Sequence, residues 1–126
     1  MDKFKVQITK EFTDEEMEDI VITALEGGIG YWACLDNTTK DFDNEPEDLS
    51  ISEWCWRLLK EGKSLRFLDA EDTEDGEVWF LTLPMLLNGI KLALEQGYWN
   101  GDIDSMDAND ADIVFQLAMF GQVVYG

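Results

Sequence analysis

Ser64-Leu-Arg-Phe-Leu-Asp69 and Glu77-Val-Trp-Phe-Leu-Thr-Leu83, joined by Ala70-Glu-Asp-Thr-Glu-Asp-Gly76, decide the fold class. Both flanking runs are short and rich in aliphatic and aromatic residues, which suit a pleated, half-buried surface. Asp75-Gly76 is a strong turn signal between them. The stretch therefore predicts two strands over 64–69 and 77–83, a hairpin with an acidic tip.

Helical signals lie on both sides of it. Upstream, Ser50 and Glu53 form a capping box, Leu49 and Trp54 stand at the staple positions, and Ile51, Trp54, Cys55, Leu58 and Leu59 make one apolar stripe that Gly62 ends. Downstream, Thr82 or Leu83 leads into a helix with Pro84 in its first turn. Leu86, Leu87, Ile90, Ala93 and Leu94 are expected to face inward until Gly97. A loop with Tyr98, Trp99 and Gly101 then reaches a fourth helix, capped by Asp107, carrying Ile113, Val114, Leu117 and Ala118, and closed by Gly121.

The chain ends predict further strands. Residues 3–12 alternate, with Phe4, Val6, Ile8 and Phe12 on one side and Lys3, Lys5, Gln7, Thr9 and Glu11 on the other, the pattern of a half-buried strand. Thr13 to Glu16 is a second capping box, with Phe12 and Met17 as staple; the helix it starts has Met17, Ile20, Val21, Ala24 and Leu25 on its stripe and a stop at Gly27-Gly28. Residues 29–35 read as a buried strand in which Gly30 permits close packing or a bulge, 36–48 as a long loop, and Val123, Val124 and Tyr125 as a final strand. The expected order is β-α-β-α-β-β-α-α-β, an α+β fold in which helices pack a mixed or antiparallel sheet.

With 126 residues, one domain over 1–126 is expected, and 45% apolar content with five tryptophans is too much for a disordered acidic chain. No run has signal-peptide or membrane character and no lipidation motif is present, so a cytoplasmic protein is expected, free of membrane. Cys34 and Cys55 lie in apolar segments without a paired spacing and read as buried thiols.

The balance of charge is extreme: 28 Asp and Glu against 9 Lys and Arg, with no histidine, giving −19. Direct binding to nucleic acid or anionic membrane is disfavoured by that field, and a basic partner is favoured. The carboxylates are grouped, six in 11–19, six in 36–48, six in 69–77 and five in 102–112. The first group is accounted for by helix capping and dipole complementation. The hairpin group has no helix dipole to relieve its mutual repulsion, and only Arg66 is near it in sequence. Partner binding is therefore assigned first to Asp69, Glu71, Asp72, Glu74, Asp75 and Glu77, then to Asp36, Asp41, Asp43, Glu45, Glu47 and Asp48, and to Asp102 and Asp104. Arg57, Lys60, Lys63 and Arg66 are segregated with only Glu61 among them. They are expected to pair with the protein's own acid; a phosphate-binding patch of Arg57, Lys60 and Arg66 is the alternative.

Signals for catalysis are poor. Without histidine there is no Ser-His-Asp or Cys-His arrangement, and neither phosphate-loop motif occurs. Gly27-Gly28-Ile29-Gly30 follows a helix and precedes a strand, the reverse of the phosphate-cradling order. Asn100 to Asp107 alternates oxygen-bearing side chains, but Ser105 and Ala111 stand where a calcium loop counted from Asn100 needs Gly and Glu. A non-enzymatic protein with no cofactor and no metal is expected. Trp32, Trp54 and Trp79 read as core; Trp56, off the helical stripe, and Trp99, in a loop, are candidates to anchor an interface.

The segments Val21-Ile-Thr-Ala-Leu-Glu-Gly-Gly-Ile-Gly-Tyr-Trp32 and Asp110-Ala-Asp-Ile-Val-Phe-Gln-Leu-Ala-Met-Phe-Gly-Gln-Val-Val-Tyr-Gly126 resemble those of small acidic proteins encoded by phages and prophages of Gram-positive bacteria. The resemblance implies a phage setting, in which such proteins often block host defences, anti-CRISPR and anti-restriction DNA mimics among them. It points to a basic, nucleic-acid-handling defence nuclease such as a CRISPR effector as partner, in the bacterial host cytoplasm. Two other readings remain open: sequestration of a nucleotide second messenger of host immunity, and a structural or homodimeric phage protein whose charge serves solubility.

Overall fold

Ser50 and Thr13 start helices by the reciprocal device their sequences predict. In the computed structural model, which describes residues 2–126, the Thr13 hydroxyl accepts from the Glu16 N–H at 3.1 Å while the Glu16 carboxylate accepts from the Thr13 N–H at 3.0 Å. Ser50 with Glu53 and Asp107 with Asp110 repeat the arrangement. The helices so begun are α1 (Asp14–Thr23), α2 (Ile51–Lys60) and α4 (Ala108–Phe120); α3 (Leu83–Glu95) starts from Thr82 with Pro84 in its first turn. Gly62, Gly97 and Gly121 end three of them at φ of 87°, 78° and 72°, a conformation that side chains with a Cβ resist.

Strands β1 (Ala33–Leu35), β2 (Leu65–Asp69) and β3 (Val78–Leu81) form one antiparallel sheet in the order β1-β2-β3, so the fold is α+β with four α-helices. Leu35 pairs with Phe67 and Phe67 with Trp79, and this parity turns Leu65, Phe67 and Leu81 into the core. There they meet Ile20 and Val21 of α1, Leu59 of α2, Leu86 of α3 and Phe115 of α4. The opposite face, with Cys34, Arg66, Leu68, Val78 and Phe80, is exposed or only half-buried.

The structure differs from the sequence reading at both chain ends. Residues 3–12 are not a strand: no neighbouring segment offers them a ladder, and Phe4, Val6 and Ile8 are 90%, 85% and 85% exposed. Residues 123–125 are not a strand either, because the Val124 and Tyr125 N–H groups donate to the Gln116 side-chain oxygen at 2.8 and 2.7 Å rather than to a strand. The observed order is α-β-α-β-β-α-α, with three strands where five were expected.

The helical run that begins at Asp14 ends at Gly28 as expected, though its last turn, Ala24–Gly28, is a π-turn. Gly28 is there for contact with α4: a Cβ on it would lie 2.8 Å from the Ala108 carbonyl oxygen. Gly30 is exposed with open space around it, so neither close packing nor a bulge needs it. The strand expected over 29–35 is only Ala33–Leu35, since the Trp32 and Ala33 N–H groups turn back to the Ile29 carbonyl. Ile51 and Leu87, assigned to buried stripes, lie on the solvent side of their helices. Trp56 and Trp99, the expected interface anchors, are buried. Trp56 covers the α1–α2 junction with its N–H on Asp14 at 3.1 Å, and Trp99 stacks on Phe12 at 5.7 Å. Cys55 is buried as expected, but Cys34 stands exposed on the outer face of the sheet.

Candidate protein-binding surface

Backbone turns order the hairpin tip before any side chain contributes. The Asp69 N–H donates to the Glu77 carbonyl, Asp72 N–H to Asp69, and Gly76 N–H to Asp72, at 3.0, 3.1 and 2.9 Å. Gly76 is demanded by this closure, because a Cβ there would fall 2.4 Å from the Asp72 carbonyl oxygen. Two carboxylates reinforce the turn: Asp69 accepts from the Glu71 N–H at 2.9 Å and Asp72 from the Asp75 N–H at 3.0 Å. Glu71, Glu74, Asp75 and Glu77 make no such bond and are exposed, as is Asp72.

The tip stands on an aromatic base. The Ala70 N–H donates to the Trp32 carbonyl at 3.0 Å, and the Trp32 ring stacks on Tyr125 at 5.2 Å while Trp79 and Phe120 close the cluster. Burial raises the Tyr125 phenol above its ordinary pKa, and the negative charges of Asp69, Glu71 and Glu77 raise it further. The tip's field is thus felt at its own foundation.

The second segment, 36–48, leaves the sheet at the other end. Ala33 lies opposite Asp69, whereas the Asp36 N–H donates to the Arg66 carbonyl, so the two acidic loops depart from opposite ends of β2. Arg66 to Asp69 spans about 10 Å at the usual rise of a strand. Asp43, Glu47 and Asp48 are exposed, and Asp41 and Glu45 are half-buried. The Asp41 carbonyl accepts the Trp54 indole N–H at 2.9 Å, pinning the loop to α2. Glu45 lies near enough to Cys55 to add to burial in pushing that thiol up to about 12.

Asp36 is set apart from its neighbours. It is 8% exposed, bonded by Thr38 through hydroxyl and N–H and ion-paired with Arg66. The Thr38 hydroxyl foremost, then its N–H and the Arg66 guanidinium, hold the carboxyl below its ordinary pKa against the opposing effect of burial. Asp36 is therefore a structural group with little carboxylate to offer a partner.

Asp102 and Asp104 are exposed on a third segment. Phe12, just before α1, stacks on Trp99, and Gly27, at the far end of the same helix, lies beside Ala108. The chain from 99 to 108 accordingly runs from the start of α1 to the end of the helical turn that follows it. Asn100 accepts from the Asp102 N–H and Asp102 from the Asp104 N–H, so these side chains make local turns. Among the described residues no three acidic or thiol side chains converge to hold a metal ion.

Two of the segregated cations pair with the protein's own carboxylates: Lys60 with Asp14 at 2.8 Å and Arg66 with Asp36. Of the alternative anion-binding trio, Arg57 alone has no ion pair among the described residues.

Asp112, one of the five carboxylates grouped in 102–112, is only 5% exposed. Its carboxylate accepts from the Tyr31 hydroxyl at 2.5 Å, the Trp32 indole at 2.7 Å and the Gln116 amide at 2.9 Å. Burial and this bond push the Tyr31 phenol up to about 12. The available signal was the spacing of Asp112 and Gln116, four apart on a helix between apolar neighbours.

Among the described residues no helix is long and apolar enough to cross a membrane. Comparison with known proteins gave no match: no family model, no curated protein and no solved structure is significantly similar to this chain.

Proposed function

We propose that this chain is a non-enzymatic inhibitor from a phage or mobile element that binds a basic, nucleic-acid-handling host protein by imitating DNA. The observation that carries the reading is the hairpin tip: five exposed carboxylates on an ordered turn, with no cation paired to them among the described residues. Such an array is costly through self-repulsion and is offset when a basic channel accepts it. Its placement supports the same reading. A second acidic loop leaves the opposite end of a strand about 10 Å away, comparable to the roughly 12 Å major groove that separates phosphate rows in duplex DNA. A CRISPR effector is the partner class that combines such a channel with a role in host defence.

The test uses the four tip carboxylates that hold no turn bond. A variant with Glu71→Gln, Glu74→Gln, Asp75→Asn and Glu77→Gln keeps Asp69 and Asp72 and so keeps the turn. Affinity capture from a bacterial lysate is expected to retain basic nucleic-acid-binding proteins that elute as salt rises, that duplex DNA displaces, and that the variant binds much more weakly. Equal capture by the variant, or captured proteins indifferent to duplex DNA, would overturn the proposal.

A further inference from the structure

The segment 2–10 has the sequence pattern of a strand but pairs with none among the described residues. Its alternation puts Phe4, Val6 and Ile8 on one side and Lys3, Lys5, Gln7 and Thr9 on the other, while all of them are exposed. It also holds three of the nine basic residues of a chain whose net charge is −19.

The sheet has a matching vacancy. β3 is an edge strand, and because the Asp69 N–H donates to the Glu77 carbonyl, the residues of β3 that bond to β2 are Trp79 and Leu81. The N–H and C=O groups of Val78 and Phe80 therefore point to the free edge, and no backbone or side-chain partner reaches them among the described residues. Val78 and Phe80 are 38% and 52% exposed on the uncovered face of the sheet. No charge or proline interrupts Val78-Trp79-Phe80-Leu81, so the usual protection of an edge is missing within it.

We infer that the N-terminal segment of a second copy of this chain adds to the free edge of β3 as a fourth strand, giving a homodimer by reciprocal strand exchange. Backbone bonding explains the affinity and side-chain parity the orientation. With Phe4, Val6 and Ile8 on the side of Val78 and Phe80, apolar residues pair across strands. The same parity sends Lys3 and Lys5 to the side of Trp79, where Asp69 and Glu77 stand at the end of the ladder. Basic segment and acidic rim are complementary. The reciprocal contact is isologous and closes at two chains. It does not depend on DNA mimicry.

Sedimentation velocity over a range of micromolar concentrations is expected to show a monomer–dimer equilibrium. Removal of residues 2–10, or Phe80→Glu on the exposed face, should abolish the dimer while leaving the melting transition of the monomer in place. In a mixture of isotope-labelled and unlabelled chains, contacts between the methyls of Val6 or Ile8 and those of Val78 should cross from one chain to the other. A monomer at every concentration, a dimer that survives the truncation, or methyl contacts confined to one chain would each overturn the inference.

Discussion

Asp36 carries the same formal charge as Glu74, yet the two have opposite roles. Glu74 stands in water without a partner, whereas Asp36 is enclosed by Thr38 and Arg66 at the end of β1. A buried carboxylate that accepts several bonds costs about 1–3 kcal/mol to replace when its donors are left unmatched. Asp36→Asn is therefore expected to lower stability by about that amount in chemical denaturation, with partner binding nearly unchanged. The pH dependence has a definite sign. The folded pKa is lowered, so the contribution is complete above the unfolded value of about 3.9 and fades as pH falls through the folded one. The variant should show a shallower loss of stability on acidification, and an unchanged acid limb would count against the assignment. Sequence alone could not separate Asp36 and Asp112 from the surface acid, because burial is decided by residues distant in the chain: Arg66 for the one, Tyr31 and Trp32 for the other.

At the scale of elements, legibility follows the range of the deciding interaction. The capping boxes at Thr13 and Ser50, the Asp107 cap, Pro84 and the Asp75-Gly76 turn act within a few residues, and each sits where the sequence places it. The terminal strands failed because a strand is completed by a neighbour and alternation cannot supply one; Gln116 takes the backbone bonds at one end, and among the described residues no strand takes them at the other. Glycines show the same division. Gly89 is an ordinary helix position by sequence, yet it lets α3 and α4 touch: a Cβ would lie 2.6 Å from the Val114 carbonyl oxygen and 2.7 Å from the Ala118 N and Cβ. In an open helix, alanine would gain about 0.5–1 kcal/mol over glycine, but here two backbones must separate, and overpacking of this kind costs typically 1–3 kcal/mol. Gly89→Ala is expected to destabilise by about 1 kcal/mol or more, whereas Gly30→Ala, with nothing within 4 Å, should be close to neutral. Thermal melts of the pair check this, and a Gly89→Ala protein as stable as the parent would refute it.

For the whole molecule, what matters is where the charge is left after its internal uses are subtracted. Asp14 and Asp36 are ion-paired, Asp112 is buried, and Asp107 and Asp110 close a capping box. The total of −19 does not reveal this, because it weights a paired carboxylate and a free one alike. Part of the free excess, Glu71, Glu74, Asp75 and Glu77, is crowded into seven residues at the hairpin tip, so the tip is a place where self-repulsion can be relieved by substitution. Screening length falls from about 30 Å at 0.01 M salt to about 3 Å at 1 M, which separates repulsion from local structure. The parent protein is expected to melt progressively higher as sodium chloride is raised through that range. The Glu71→Gln, Glu74→Gln, Asp75→Asn, Glu77→Gln variant should melt above the parent at low salt by a few degrees, and the gap should close at high salt, since the turn bonds of Asp69 and Asp72 are kept. A gap independent of salt would mean that the substitutions act on the turn and not on the field. A variant that melts below the parent at low salt would show that the tip carboxylates stabilise the fold, and the case for an external basic partner would lose its physical ground.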